Sequence, residues 1–284
     1  MLIQTLSLYD HFRLPAPEKA VGKLTCYIPD LRETDTLLRS RPAVLILPGG
    51  GYYDTSAREA EPVALRFVAK GYCAFVLRYS CHPHRFPTAL REAAMAMRYI
   101  RENAKNWSIG ADKVAAIGFS AGGHLCGTLG MLYDCPEVRD LGDTALLRPD
   151  ALGLCYPVTV SDGKAHNGSF QCLCGDDQAL RQRLSLVNLV RRDMPPVFLW
   201  HTRNDSVVPV QGTLRLAAAL EEMDLPFALH IYRHGPHGLS VANEQVYPAN
   251  AVPAISADVP GWLDAMVGFF AEVGLLTTDA KLDG

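Results

Sequence analysis

Gly118-Phe119-Ser120-Ala121-Gly122 sets a serine between two glycines. An apolar run, "KVAAIGF", precedes it, and a helix-compatible run, "AGGHLCGTLGMLY", follows. A serine on a tight strand-to-helix turn stands clear of the backbone, and flanking glycines remove Cβ atoms that would clash there. The chemistry open to it is nucleophilic attack, but a hydroxyl is a poor nucleophile unaided. A histidine must take its proton, and a carboxylate must hold that histidine. The chain offers both downstream, in the order Ser, Asp, His. Asp205 lies in "TRNDSVVP", just past the apolar run "PVFLWH", and its neighbour Asn204 carries no charge. His237 lies in the glycine-flanked "RHGPHGLS" after the run "FALHIY". His234, nearer the end of that run, is the rival base.

Acyl transfer also needs donors for the oxyanion. In "ILPGGGYY", Gly50 and Gly51 follow an apolar run and present bare backbone N–H groups. With the N–H of Ala121 they make a two- or three-donor hole. Tyr52 and Tyr53 come next, and either ring can stack on a sugar or serve as ordinary packing. Tyr52 is the expected substrate contact. Glu59 and Glu61 resemble a paired carboxylate, but the start of a helix attracts acids through its dipole, and that plainer reading is preferred. His201 and His230 fall inside strand-like runs and read as structural. His124, one turn past Ser120, reads as packing or capping. His11, His82, His84 and His166 lie outside the expected position for a base.

These residues need a scaffold. Nearly unbroken apolar runs recur at 43–48, 73–79, 114–119, 151–157, 196–201 and 227–232. Strands apolar on both faces belong to a parallel sheet covered by helices on both sides. Helical spacing fills the intervals. Over 87–104, Leu90, Ala93, Ala94, Met97 and Ile100 take one face, and Arg91, Glu92, Arg98 and Arg101 take the other. Further helices are expected at 57–71, 210–224 and 261–274. The alternation predicts a doubly wound, mostly parallel α/β sheet. "LIQTLSLYD" and "AVGKLTCYIPD" read as leading strands at an antiparallel edge. Residues 133–150 read as a loop. Residues 158–195 read as a cap-like insertion with one or two short helices, overhanging the site within a single domain spanning 1–284. The insertion is polar (Ser161, Asp162, Lys164, His166, Asn167, Ser169) and lacks the apolar stripe of a lipase lid.

The length of 284 residues suits this architecture, and the net charge of −3 comes without a dense Lys/Arg cluster. Nucleic acid is therefore not an expected partner. The first residues lack the basic and apolar regions of a signal peptide. No apolar run approaches the roughly 20 residues of a membrane span, so no membrane partner is expected. The eight cysteines are scattered, several of them in apolar runs. That reads as reduced thiols in a cytoplasmic protein. Cys172 and Cys174 stand alone, without a second pair at metal-site spacing. No metal or cofactor is expected, and the sheet edge leaves room for a homo-oligomer.

"PGGGY" (48–52), "REAEPVA" (58–64), "GYCAFVLRYS" (71–80), "GFSAGGHL" (118–125), "CYPV" (155–158), "FLWHTRNDSVVPV" (198–210) and "HGPHGLS" (234–240) together carry a resemblance over about residues 40 to 270. The chain resembles the α/β-hydrolase fold, and within it the bacterial acetylesterases and carbohydrate esterases allied to the hormone-sensitive-lipase group. That resemblance implies hydrolysis of short acyl esters, often acetyl groups on sugars such as xylo-oligosaccharides. It implies Ser120, Asp205 and His237 as the triad and Gly50, Gly51 and Ala121 as the oxyanion hole. Two departures are visible. The lipase branch reads His-Gly-Gly-Gly, where this chain has Pro48, which moves it toward the sugar esterases. "RYSCHPHRFP" replaces the usual Tyr-Arg-x-x-Pro-Glu. The rival readings are a serine peptidase of the prolyl-oligopeptidase type, which shares fold and triad order, and a noncatalytic ligand-binding protein on a hydrolase scaffold.

Overall fold

The computed structural model describes residues 1–30, 40–247 and 254–275. Its centre is one eight-stranded sheet formed by β1 (Leu2–Ser7), β2 (Lys23–Ile28), β3 (Arg41–Leu47), β4 (Cys73–Arg78), β5 (Ile109–Phe119), β6 (Ala151–Cys155), β7 (Val197–Thr202) and β8 (Phe227–Tyr232). The spatial order is β1-β2-β4-β3-β5-β6-β7-β8. β2 runs antiparallel to both β1 and β4, and the pairs from β4 to β8 are parallel. The carboxyl ends of β3 to β8 therefore share one edge, where a doubly wound sheet holds its ligands.

Burial follows composition. Every residue of β3, β6 and β7 is buried, whereas those of β1, at the edge, are exposed or half-buried. Side chains alternate across each strand. In β3, Ala43, Leu45 and Leu47 enter one hydrophobic layer, and Val44 and Ile46 enter the other. Nine helices accompany the sheet among the described residues: α1 (Leu8–Phe12), α2 (Glu61–Ala69), α3 (Thr88–Glu102), α4 (Ala121–Leu132), α5 (Thr144–Leu147), α6 (Asn167–Cys174), α7 (Gln178–Arg183), α8 (Gln211–Glu222) and α9 (Trp262–Glu272). α3, α4 and α8 pack in the first layer, and α2 and α9 pack in the second. No described helix is long and apolar enough to cross a membrane.

The turn from β5 to α4 is one residue long. Ser120 occupies it with φ 54° and ψ −118°. A non-glycine residue held there stores about 1–3 kcal/mol and persists only where its surroundings over-determine it. They do so here. Ser120 N–H donates to the Cys155 carbonyl at 3.0 Å, and Ser120 O accepts from Val158 N–H at 3.0 Å. A Cβ on Gly118 would overlap the Gly122 carbonyl, and one on Gly122 would overlap the carbonyls of Leu47 and Pro48. The two glycines of the motif are thus what lets α4 close onto β5 and β3.

Four expectations about elements need correction. Residues 57–71 form a 3-10 turn over Ala57–Glu59 and then α2, instead of one helix. Residues 133–150 hold a 3-10 turn and the short α5 as well as loop. β5 begins at Ile109, five residues earlier than the apolar run. Glu92, assigned to the solvent face of α3, is fully buried, because Tyr9 and Ser80 supply hydrogen bonds to its carboxylate. The segment between β6 and β7 carries two short helices, α6 and α7, and a 3-10 turn.

Candidate active site

Four chain segments converge at the sheet's carboxyl edge: the loop after β3, the turn after β5, and the loops after β7 and β8. His237 Nε2 lies 2.8 Å from Ser120 Oγ, and His237 Nδ1 lies 2.6 Å from Asp205 Oδ2. A carboxylate only accepts, so Nδ1 carries the proton and Nε2 presents its lone pair to the serine hydroxyl. Asp205 is buried, and burial alone would raise its carboxyl. Hydrogen bonds from His201 and His237 outweigh that and hold it well below the usual carboxylate range. The N–H groups of Val207 and Val208 add two bonds to Oδ1, each 2.9 Å. The carboxylate is therefore fixed and ionised, as a group must be to orient an imidazole and stabilise its protonated form.

Ser120 and His237 open onto a cavity of about 430 Å³, with Gly50 and Gly51 on its wall. Gly50 and Gly51 donate no backbone hydrogen bond among those described outside regular elements. Ala121 is the first residue of α4, so its N–H has no partner within the helix, and the positive end of the helix dipole sits at the serine. The site thus combines a hydroxyl, an acceptor for its proton, a fixed carboxylate, and main-chain donors at a helix start. That set can carry acyl transfer.

His234 is exposed, and its N–H is bound to Ser256 Oγ at 2.9 Å. It does not line the cavity. The Tyr52 expectation is corrected. Its ring is 2 % exposed and turned into the core, where its hydroxyl meets His124 Nδ1 at 2.8 Å. Tyr53 instead stands on the cavity wall, 72 % exposed. The insertion reaches the site through His166, Gly168 and Cys172. Burial, and to a lesser extent its nearness to His237, lower the pKa of His166.

Sequence reasoning missed three contributors. His201 Nε2 lies 3.2 Å from Asp205 Oδ2 and 2.9 Å from the Val208 carbonyl. Both are acceptors, so Nε2 donates, and Nδ1 accepts from Thr213 at 2.8 Å. Its spacing of four residues from Asp205 was the available signal. Glu59 lines the cavity yet is 3 % exposed. Burial raises its carboxyl, partly offset by hydrogen bonds from Tyr156 and Gly49. The helix-dipole reading fails for Glu59, and nothing local in sequence separates it from Glu61. Tyr156 packs edge-on against His237, with centroids 5.1 Å apart.

A family model described as BD-FAE matches residues 27–145, and one for the prolyl oligopeptidase family matches residues 170–254. Endo-1,4-beta-xylanase B of Butyrivibrio fibrisolvens is 38% identical over 221 residues, which is 73% of this chain and 34% of that protein. Acetylxylan esterase of Xylanibacter ruminicola is 28% identical over 236 residues, covering 80% of this chain and 45% of that protein. The chain thus spans a third to a half of these relatives' length. The crystal structure of an acetyl ester-xyloside bifunctional hydrolase from Caldicellulosiruptor lactoaceticus superimposes with a TM-score of 0.81 at 34% identity, covering 96% of this chain and 97% of that one.

Proposed function

The chain belongs to the α/β-hydrolase superfamily, among the esterases related to acetylxylan esterase, and from that premise we propose that it is a serine esterase acting on short acyl esters, chiefly acetyl groups on sugars or xylo-oligosaccharides. The observation that carries the reading is the continuous Ser120–His237–Asp205 hydrogen-bond chain, 2.8 and 2.6 Å long, opening onto the cavity.

The mechanism has two steps. His237 Nε2 takes the proton from Ser120 Oγ as the oxygen attacks the ester carbonyl. Main-chain N–H groups of Gly50, Gly51 and Ala121 hold the oxyanion. His237 returns the proton to the leaving alcohol, and an acetyl ester stays on Ser120. Water, deprotonated by His237, then attacks that ester, and His237 passes the proton to Ser120 Oγ as acetate leaves. Asp205 remains ionised throughout and stabilises the imidazolium. The polar insertion, with His166 on the cavity wall, suits a polar alcohol better than a long acyl chain.

The test is acetate release from acetylated xylo-oligosaccharides, beside p-nitrophenyl acetate, butyrate and octanoate. Sugar deacetylation with a steep fall beyond acetate is expected, and Ser120→Ala should remove at least ~10³ of the rate. Equal rates on octanoate would contradict the short-acyl reading. The prolyl-oligopeptidase match over 170–254 keeps a peptidase as the second reading. Ser120-dependent cleavage of a chromogenic prolyl peptide, with acetyl esters left intact, would favour it.

A further inference from the structure

Glu59 is a buried carboxylate at the site, and the proton relay does not use it. Both of its oxygens are engaged. Oε2 accepts from Gly49 N–H at 2.7 Å, and Oε1 accepts from the Tyr156 hydroxyl at 2.7 Å. Gly49 opens the glycine loop, and a Cβ there would overlap Glu59 Oε2 and the Phe119 carbonyl and crowd Ser120 Cβ. The Tyr156 hydroxyl oxygen accepts in turn from Ser240 N–H at 2.9 Å. Ser240 stands three residues after His237 and is fully buried. Its hydroxyl donates to the Arg58 carbonyl, next to Glu59, and its carbonyl accepts from Trp262 Nε1 at 2.9 Å.

One short segment, Arg58-Glu59, therefore grips the start of the donor loop on one side and the histidine loop on the other. Each partner of Glu59 donates, so the cradle suits an acceptor with two oxygens and not an amide or a hydrocarbon. Burying a carboxylate costs free energy unless its hydrogen bonds are satisfied, and a purely structural link between two loops does not require a charge. What the two-pronged acceptor provides is a common origin for two groups that must act on the same carbonyl.

We propose that Glu59 is a positioning residue that ties the Gly49–Gly51 donor loop to the His237 loop, setting oxyanion donors and general base in register. This inference rests on the serine-esterase reading. A displacement of about 1 Å in such groups costs about 10² in rate, and loss of one oxyanion donor costs about 10²–10³. Both act on the transition state, where the carbonyl oxygen is charged, and leave ground-state binding largely alone.

The experiment compares Glu59→Ala, Glu59→Gln and Tyr156→Phe with the wild type, with Ser120→Ala as the control. The readouts are kcat and KM for p-nitrophenyl acetate, and inhibition by a boronic acid that forms a tetrahedral anion on a reactive serine. Glu59→Ala should lower kcat by about 10²-fold with KM nearly unchanged, the scale of a displaced donor, and weaken boronate binding in parallel. Glu59→Gln, which keeps one acceptor for Gly49, should retain more activity than the alanine variant. Should the alanine variant fail to fold, the same split is expected, smaller, in Glu59→Gln and Tyr156→Phe. Ser120-dependent hydrolysis with unchanged kcat, or a lowered kcat with unaltered boronate binding, would overturn the inference alone. Wild-type hydrolysis that survives Ser120→Ala would overturn the serine reading and this inference with it.

Discussion

Asp205 Oδ2 serves two histidines at once, His237 at 2.6 Å and His201 at 3.2 Å. The sharing has a consequence for the relay. His201 is pinned by Thr213 and the Val208 carbonyl, so it anchors the carboxylate without competing for the serine. In the proposed mechanism Asp205 is thereby fixed before His237 takes up a proton, and little reorganisation remains for the reaction itself. At this scale the choice between the two loop histidines is testable. His237→Ala should lower kcat/KM for p-nitrophenyl acetate by ~10³ or more, following the behaviour of residues that act as a unit. His234→Ala should leave it near the wild-type value, because His234 is exposed and, among the described residues, hydrogen-bonds through its backbone only. The opposite ranking in steady-state kinetics would exchange their roles.

α4 carries the serine turn and also a buried histidine. His124 Nε2 meets the Leu184 carbonyl at 2.7 Å, so that nitrogen donates, and Nδ1 accepts from Tyr52. The side chain staples α4 to the insertion and to the glycine-rich loop through neutral hydrogen bonds. Burial pushes its pKa down from 6.5 to about 4. Between those values the unfolded chain holds the proton and the folded chain does not, so stability rises with pH across the window. The stabilisation is present above pH 6.5 and is lost as pH falls toward 4, by up to about 3 kcal/mol in all. Urea unfolding of wild type and His124→Gln from pH 7 to 4.5 reads this directly. The wild type should lose stability more steeply than the variant, which has no titrating group there. Parallel curves would mean that His124 is not held neutral.

Across the whole molecule, what was legible in the sequence was what repeats or what local chemistry demands. Central strands such as β3 and β7 showed as unbroken apolar runs because both their faces are covered, and the serine turn showed because only small residues fit around Ser120. Ser120, Asp205 and His237 are singled out by chain order and strand ends, and the structure brings His237 within hydrogen-bond distance of the other two. Of the residues that were missed, His201 sits only four positions from Asp205, whereas Glu59 and Tyr156 act across long sequence separations. Glu59 and Tyr156 are 97 positions apart, and no local pattern links a glutamate beside a helix start to a tyrosine past β6. Glu92 was misassigned for the same reason, since the groups that satisfy it come from α1 and from the end of β4. Tyr52 and Tyr53 are neighbours, and sequence alone does not say which one turns inward. The proposed mechanism requires Ser120 to be the group acylated in turnover. Acid-quenching the enzyme during p-nitrophenyl acetate hydrolysis and mapping the acetylated peptide by mass spectrometry tests it most directly. Acetyl is expected on Ser120, appearing with a burst of nitrophenol and absent from both Ser120→Ala and His237→Ala. Acetyl on another side chain, or steady hydrolysis by Ser120→Ala, would contradict it.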